Sequence, residues 1–142
     1  DALIGELARM RRQHPRVGLW DGHSIQSRVP MFFDGQLPDF NLGTASGARC
    51  SPGLQVRLDE VLRERATGSD GHYSHIVNGR FKGGYITRHY GRPDDGIEAV
   101  QLELAQYTYM DEDSFDYLPG RSTPVQAVIR ALLEACLHHA GA

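Results

Sequence analysis

The stretch IEAVQLELA, Ile97 to Ala105, decides the fold. Its alternation puts Val100, Leu102 and Leu104 on one face of a strand and Glu103 on the other, and the turn signal Asp94-Asp95-Gly96 stands just before it. Working outward, RVGLW (16–20) reads as a buried strand that opens into the polar loop Asp21-Gly22-His23-Ser24. FNLGT (40–44) makes another strand, followed by a Gly- and Ser-rich loop over 45–51. SHIVNG (74–79), RFKGG (80–84) and YITRHY (85–90) read as two strands around a turn.

Helical spacing supplies the rest. Leu3, Ile4, Leu7 and Ala8 mark a first helix with Asp1 as N-cap, stopped by His14-Pro15. Ser51-Pro52 starts a second helix that runs to about Ala66 and ends at Gly68. Its apolar stripe is Leu54, Leu58, Val61 and Leu62, with Asp59 and Arg63 as an i,i+4 pair. A final helix carries Pro124 at or near its first position and presents Val125, Val128, Ile129, Leu132, Leu133 and Cys136 on one face. Three helices among about five strands, without an internal repeat, predict one α/β layered domain over residues 1–142.

Composition narrows the function. The 142 residues are 40% hydrophobic and 23% charged, ordinary values for a folded domain. Fifteen Lys and Arg against 18 Asp and Glu give a net charge of −3, which argues against nonspecific nucleic-acid binding. The sequence has neither an apolar run of about 18 residues nor a signal-peptide pattern, so a membrane span is not expected and a cytoplasmic setting is. Cys50 and Cys136 read as reduced thiols.

Three groups of residues carry chemistry. His23 lies just beyond a buried strand, where functional groups of open α/β sheets collect, and Asp21 could orient its imidazole toward a metal. A loop histidine beside an Asp-Gly turn is the plainer alternative. Glu103 is a carboxylate in an apolar strand, costly to bury unless paired, protonated or facing a polar cavity. Such burial raises its pKa, as a general base requires; an edge strand with one wet face competes with that reading. Arg80 and Lys82 flank Phe81 before Gly83-Gly84, and Arg88 follows in the next strand beside Ile86 and Tyr90, a set suited to gripping a small anion. For Lys82 above all, a solvated hairpin tip is the competing reading. His72 and His75 read as loop histidines. The acidic run 111–116 lacks the Gly and closing Glu of a calcium loop, and GTASG (43–47) lacks the Lys of a phosphate loop.

Four strings, LWDGHSI (19–25), LPDFNLGTASGARCSP (37–52), SHIVNGRFKGGYITRHYG (74–91) and AVQLELAQYTYMDE (99–112), resemble the N-formylglutamate amidohydrolase (deformylase) family. More distantly, His-Ser after a strand and a later Leu-Glu-Leu strand are similar to the zinc carboxypeptidase and aspartoacylase superfamily. The resemblance implies an α/β fold with a mixed, mainly parallel sheet flanked by helices, of the phosphorylase/hydrolase-like, zinc exopeptidase-like type. It implies zinc-dependent hydrolysis of N-formyl-L-glutamate to formate and L-glutamate, in histidine degradation. On this chain the metal-ligand role falls on His23 and the general-base role on Glu103, with Arg80, Lys82 and Arg88 expected to hold the substrate carboxylates. Family members are longer, and their first zinc ligands precede anything present here. The chain therefore resembles the C-terminal portion of such an enzyme, whose other ligands come from the N-terminal part or from another chain. Two alternatives stand beside this: a hydrolase of another N-acyl amino acid, and a non-catalytic binding domain.

Overall fold

The structure, a computed structural model, describes residues 1–66 and 73–141. Gly68 and His72 lie outside the described residues. The described strands are β1 (Val17–Ile25), β2 (Phe40–Gly43), β3 (His75–Val77) and β4 (Ile97–Ala105), in the sheet order β1-β4-β2-β3. β1 runs parallel to β4 over its whole length, from Val17 opposite Ile97 to Ile25 opposite Ala105. β2 is parallel to β3 and antiparallel to β4. The sheet is mixed and mainly parallel, as expected. Among the described residues no strand pairs with the outer edge of β1.

Helices cover both faces: α1 (Ala2–Arg11), α2 (Pro52–Ala66), α3 (Tyr85–Tyr90) and α4 (Pro119–Ala140). On one face Val100, Leu102 and Leu104 of β4 and Phe40 and Leu42 of β2 pack with Leu54, Leu58, Val61 and Leu62 of α2 and Val125, Val128 and Leu132 of α4. The α2 stripe therefore buries as its spacing requires, and Asp59 meets Arg63 at 2.6 Å. On the α4 stripe Leu133 is the exception, being exposed. On the opposite face, Val17 and Ile97 at the start of the two parallel strands pack with Leu7 of α1 and Tyr90 of α3. Farther along, that second face turns polar. No helix of the described residues is long and apolar enough to cross a membrane.

Five local expectations are corrected. His75 is not a loop histidine but the first residue of β3, with its Nε2 3.1 Å from Asp59 Oδ1. YITRHY is not a strand but the helix α3, so Arg88 sits on a helix and not in a β-strand. Its Tyr, Ile and Thr content favours strands, but Thr87 and Tyr90, three apart, are both buried, and an i,i+3 pair shares a face in a helix and not in a strand. β1 continues past Trp20 to Ile25 because every residue has a partner on β4, so His23 lies inside a strand and not in a loop. α4 begins at Pro119 and not at Pro124, which is interior. The segment before it folds back through Asp111 N–H to the Asp116 carbonyl (2.9 Å) and Leu118 N–H to the Tyr109 carbonyl (3.0 Å), which delivers Pro119 to the first turn. The described residues thus hold four α-helices and four strands instead of three and about five.

Candidate active site

The polar end of the second face is built by the strand period of two. Val17, Leu19, Asp21 and His23 project from β1 to the same side as Ile97, Ala99, Gln101 and Glu103 from β4. In that register Asp21 stands opposite Gln101, and His23 stands opposite Glu103. The apolar pairs are covered by α1 and α3. The polar pairs come two-thirds of the way along, toward the C-terminal ends of two parallel strands, where ligand sites of open α/β sheets form.

His23 is half-exposed, whereas Asp21 beside it is only 10% exposed. The His23 Nε2–H donates to Asp21 Oδ1 at 2.7 Å. That bond fixes the tautomer, leaving Nδ1 as the ring nitrogen with a free lone pair in the neutral imidazole. Glu103 is 7% exposed. Burial holds its carboxyl above the usual carboxylate range; the nearby His23 and a hydrogen bond from Gln101 pull it back in part, and Asp21 adds to the rise. Asn41, opposite Glu103 on β2, donates from Nδ2 to the Glu103 carbonyl (3.0 Å) and the Pro38 carbonyl (2.7 Å). Its Oδ1 is buried without a donor among the described residues.

Sequence reasoning missed Gln101 and the loops beside it. Gln101 Nε2 donates to Glu103 Oε2 at 3.3 Å, and Gln101 Oε1 accepts the Gly84 N–H at 2.6 Å. Gly83 packs onto Gly43 at the end of β2, where an added Cβ would lie 2.4 Å from the Gly83 nitrogen. The loop after β2 holds Ala45 and Ser46 in left-handed backbone (φ 53° and 57°), a conformation non-glycine residues adopt at a cost of about 1–2 kcal/mol each. Asn78 Oδ1 secures that loop by accepting from Thr44 N–H (2.9 Å) and Ser46 N–H (3.1 Å). The one available signal was the density of small residues in GTASG and KGG, which marks close backbone approach.

The basic residues are placed less tightly. Arg80 and Lys82 are exposed on the loop that leads into Gly83-Gly84, and Arg88 is exposed on α3. Arg88 lies one turn past Gly84, to whose carbonyl its N–H donates at 3.1 Å. No side-chain contact of these three reaches His23 or Glu103 among the described residues. Burial pushes both thiols, Cys50 and Cys136, up to about 12, with Glu98 adding to the rise, so neither is an activated nucleophile. Among the described residues no three His, Cys, Asp or Glu side chains gather to hold a metal ion. His23, with Asp21 behind it, offers one ligand position and not a complete site.

This is an open α/β protein whose candidate site, a histidine backed by one carboxylate and facing another, lies toward the C-terminal ends of its parallel strands. The chain belongs to the N-formylglutamate amidohydrolase family, which residues 1–110 match. It is 55% identical to the N-formylglutamate deformylase of Pseudomonas aeruginosa and 56% identical to that of Pseudomonas putida, each over 136 residues. Those matches take in 95% of this chain and 49% of each relative, so the chain spans about half the length of the curated relatives it matches. A crystal structure of the N-formylglutamate amidohydrolase from Ralstonia eutropha JMP134 shares the fold, with a TM-score of 0.78 and 24% identity over 99% of this chain and 50% of that one.

Proposed function

We propose that this chain forms part of a metal-dependent hydrolase that cleaves N-formyl-L-glutamate to formate and L-glutamate. The observation that carries the reading is the register of β1 and β4, which sets His23 opposite a buried Glu103. The names of the Pseudomonas relatives support the substrate. In this reading His23 Nδ1 is one ligand of a divalent metal, zinc by preference for imidazole, and the remaining ligands come from outside the described residues. A bound zinc would polarise the formyl carbonyl and acidify a water.

The chain's own residues do the proton work. Glu103 accepts a proton from the attacking water as its oxygen bonds to the formyl carbon, and returns a proton to the amide nitrogen as the C–N bond breaks. The products are formate and the free amine of glutamate. A base in this role gains proton affinity from a raised pKa, and burial raises that of Glu103. Arg80, Lys82 and Arg88 hold the two glutamate carboxylates, with Arg the better bidentate partner.

The test is a substrate panel on the intact protein: N-formyl-L-glutamate, N-acetyl-L-glutamate and N-formyl-L-aspartate, before and after chelation. Fastest turnover of N-formyl-L-glutamate, lost with chelator and restored by zinc, is the expected result. Preference for another N-acyl amino acid would move the substrate assignment, and undiminished turnover after exhaustive chelation would remove the metal. Arg88→Ala should raise KM about tenfold or more while kcat changes less than about threefold, because a carboxylate remote from the formyl carbon is bound alike in ground and transition states. A fall in kcat at constant KM would take Arg88 out of the substrate grip.

A further inference from the structure

A general base at Glu103 works only if its carboxylate is aimed at the attacking water. Building on that role of Glu103, we infer that Gln101 is a positioning residue that ties the base to the substrate-gripping loop. Its amide is used at both ends: Oε1 takes the Gly84 N–H at 2.6 Å, and Nε2 gives a hydrogen bond to Glu103 Oε2 at 3.3 Å. Two residues apart on β4, the two side chains share one face of the sheet. Gln101 is itself only 6% exposed, so neither bond has water as a ready substitute.

The arrangement has a directional logic. A carboxylate that acts as base needs one oxygen held and the other available. Donation from Nε2 engages Oε2 and leaves Oε1 as the oxygen that takes the proton. Gly84 ends the loop that carries Arg80 and Lys82, so the same amide links the depth at which substrate carboxylates are held to the orientation of the base. The fixed end of that link is well anchored: Gly83 is wedged against Gly43, and the Ala45 N–H donates to the Lys82 carbonyl at 2.5 Å.

Two variants separate the two ends. Gln101→Glu keeps an acceptor for Gly84 but sets a second carboxyl against Glu103, and the two share a proton until the pH is high enough to ionise both. Assayed there, it cannot donate to Glu103, and it should lower kcat about tenfold or more and leave KM within about twofold. Gln101→Met matches the volume and removes both bonds; kcat should fall similarly, with a rise in KM as the loop is released. In the intact protein carrying Glu103→Gln, adding Gln101→Met should lower kcat no further, since the group it positions is gone. Thermal melts of each variant identify any that fail to fold, and Gln101→Glu carries the test if Gln101→Met does. Full kcat in Gln101→Glu at a pH that ionises both carboxyls, or an effect of Gln101→Met that multiplies undiminished onto Glu103→Gln, would overturn the inference while leaving Glu103 as base. Unchanged turnover in Glu103→Gln alone would overturn both.

Discussion

Glu103→Gln should lower turnover of N-formyl-L-glutamate by about 10²–10⁴-fold, the usual consequence of losing a general base. The replacement is nearly isosteric, so the β1–β4 register and the Asp21–His23 hydrogen bond should persist, and substrate and metal should still bind. Two further readouts distinguish loss of the base from loss of the site. First, activity of the parent should fall as pH drops through the Glu103 pKa, at a pH above the ordinary carboxylate range because burial raises that pKa. The residual activity of the variant should lack that limb. Second, a group whose folded pKa is raised binds more protons in the folded than in the unfolded state. It therefore costs stability as pH rises above the unfolded value. Glu103→Gln should melt higher than the parent at pH 7, with the difference shrinking as the pH is lowered through the Glu103 pKa. A variant that keeps parental turnover would remove Glu103 from the chemistry.

Gly43→Ala should destabilise the fold by about 1–3 kcal/mol, as overpacking against an unyielding neighbour does. The added Cβ would lie 2.4 Å from the Gly83 nitrogen and 2.6 Å from the Lys82 carbonyl carbon, both backbone atoms with no rotamer to escape into. The loop would have to lift from β2, and the Gly84 N–H would withdraw from Gln101 with it. Melting should therefore fall by about 5–10 °C, and at a temperature where the variant is folded KM should rise together with a drop in kcat. Gly18→Ala on β1 is the matched control, because an added Cβ there meets nothing within 4 Å. It should be neutral or slightly stabilising through reduced freedom of the unfolded chain. Equal melting temperatures for the two variants would show that the close approach of Gly43 to Gly83 is not rigid.

Strand β4 and the buried faces of α2 and α4 were legible in the sequence because each buries a face whose period repeats along the chain. Leu54, Leu58, Val61 and Leu62, or Val100, Leu102 and Leu104, declare their partners by spacing alone. Glu103 was legible for the complementary reason: a carboxylate set between Leu102 and Leu104 is conspicuous in a buried strand. Elements whose form depends on distant neighbours were not. YITRHY has the composition of a strand and forms a helix, since burial of Thr87, and of Tyr90 against Val17 and Ile97, outweighs a local preference worth about 1 kcal/mol. The polar sequence DGHS reads as a loop, yet forms strand because each of these residues has a register partner on β4. Residue identities along the chain thus settled which groups could do chemistry and which faces had to be buried, because both are properties of single residues and short periods. That His23 stands opposite Glu103, and that Gln101 joins Glu103 to Gly84, was decided only when two strands far apart in sequence came into register, because register is set by the packing of the whole sheet and not by either strand.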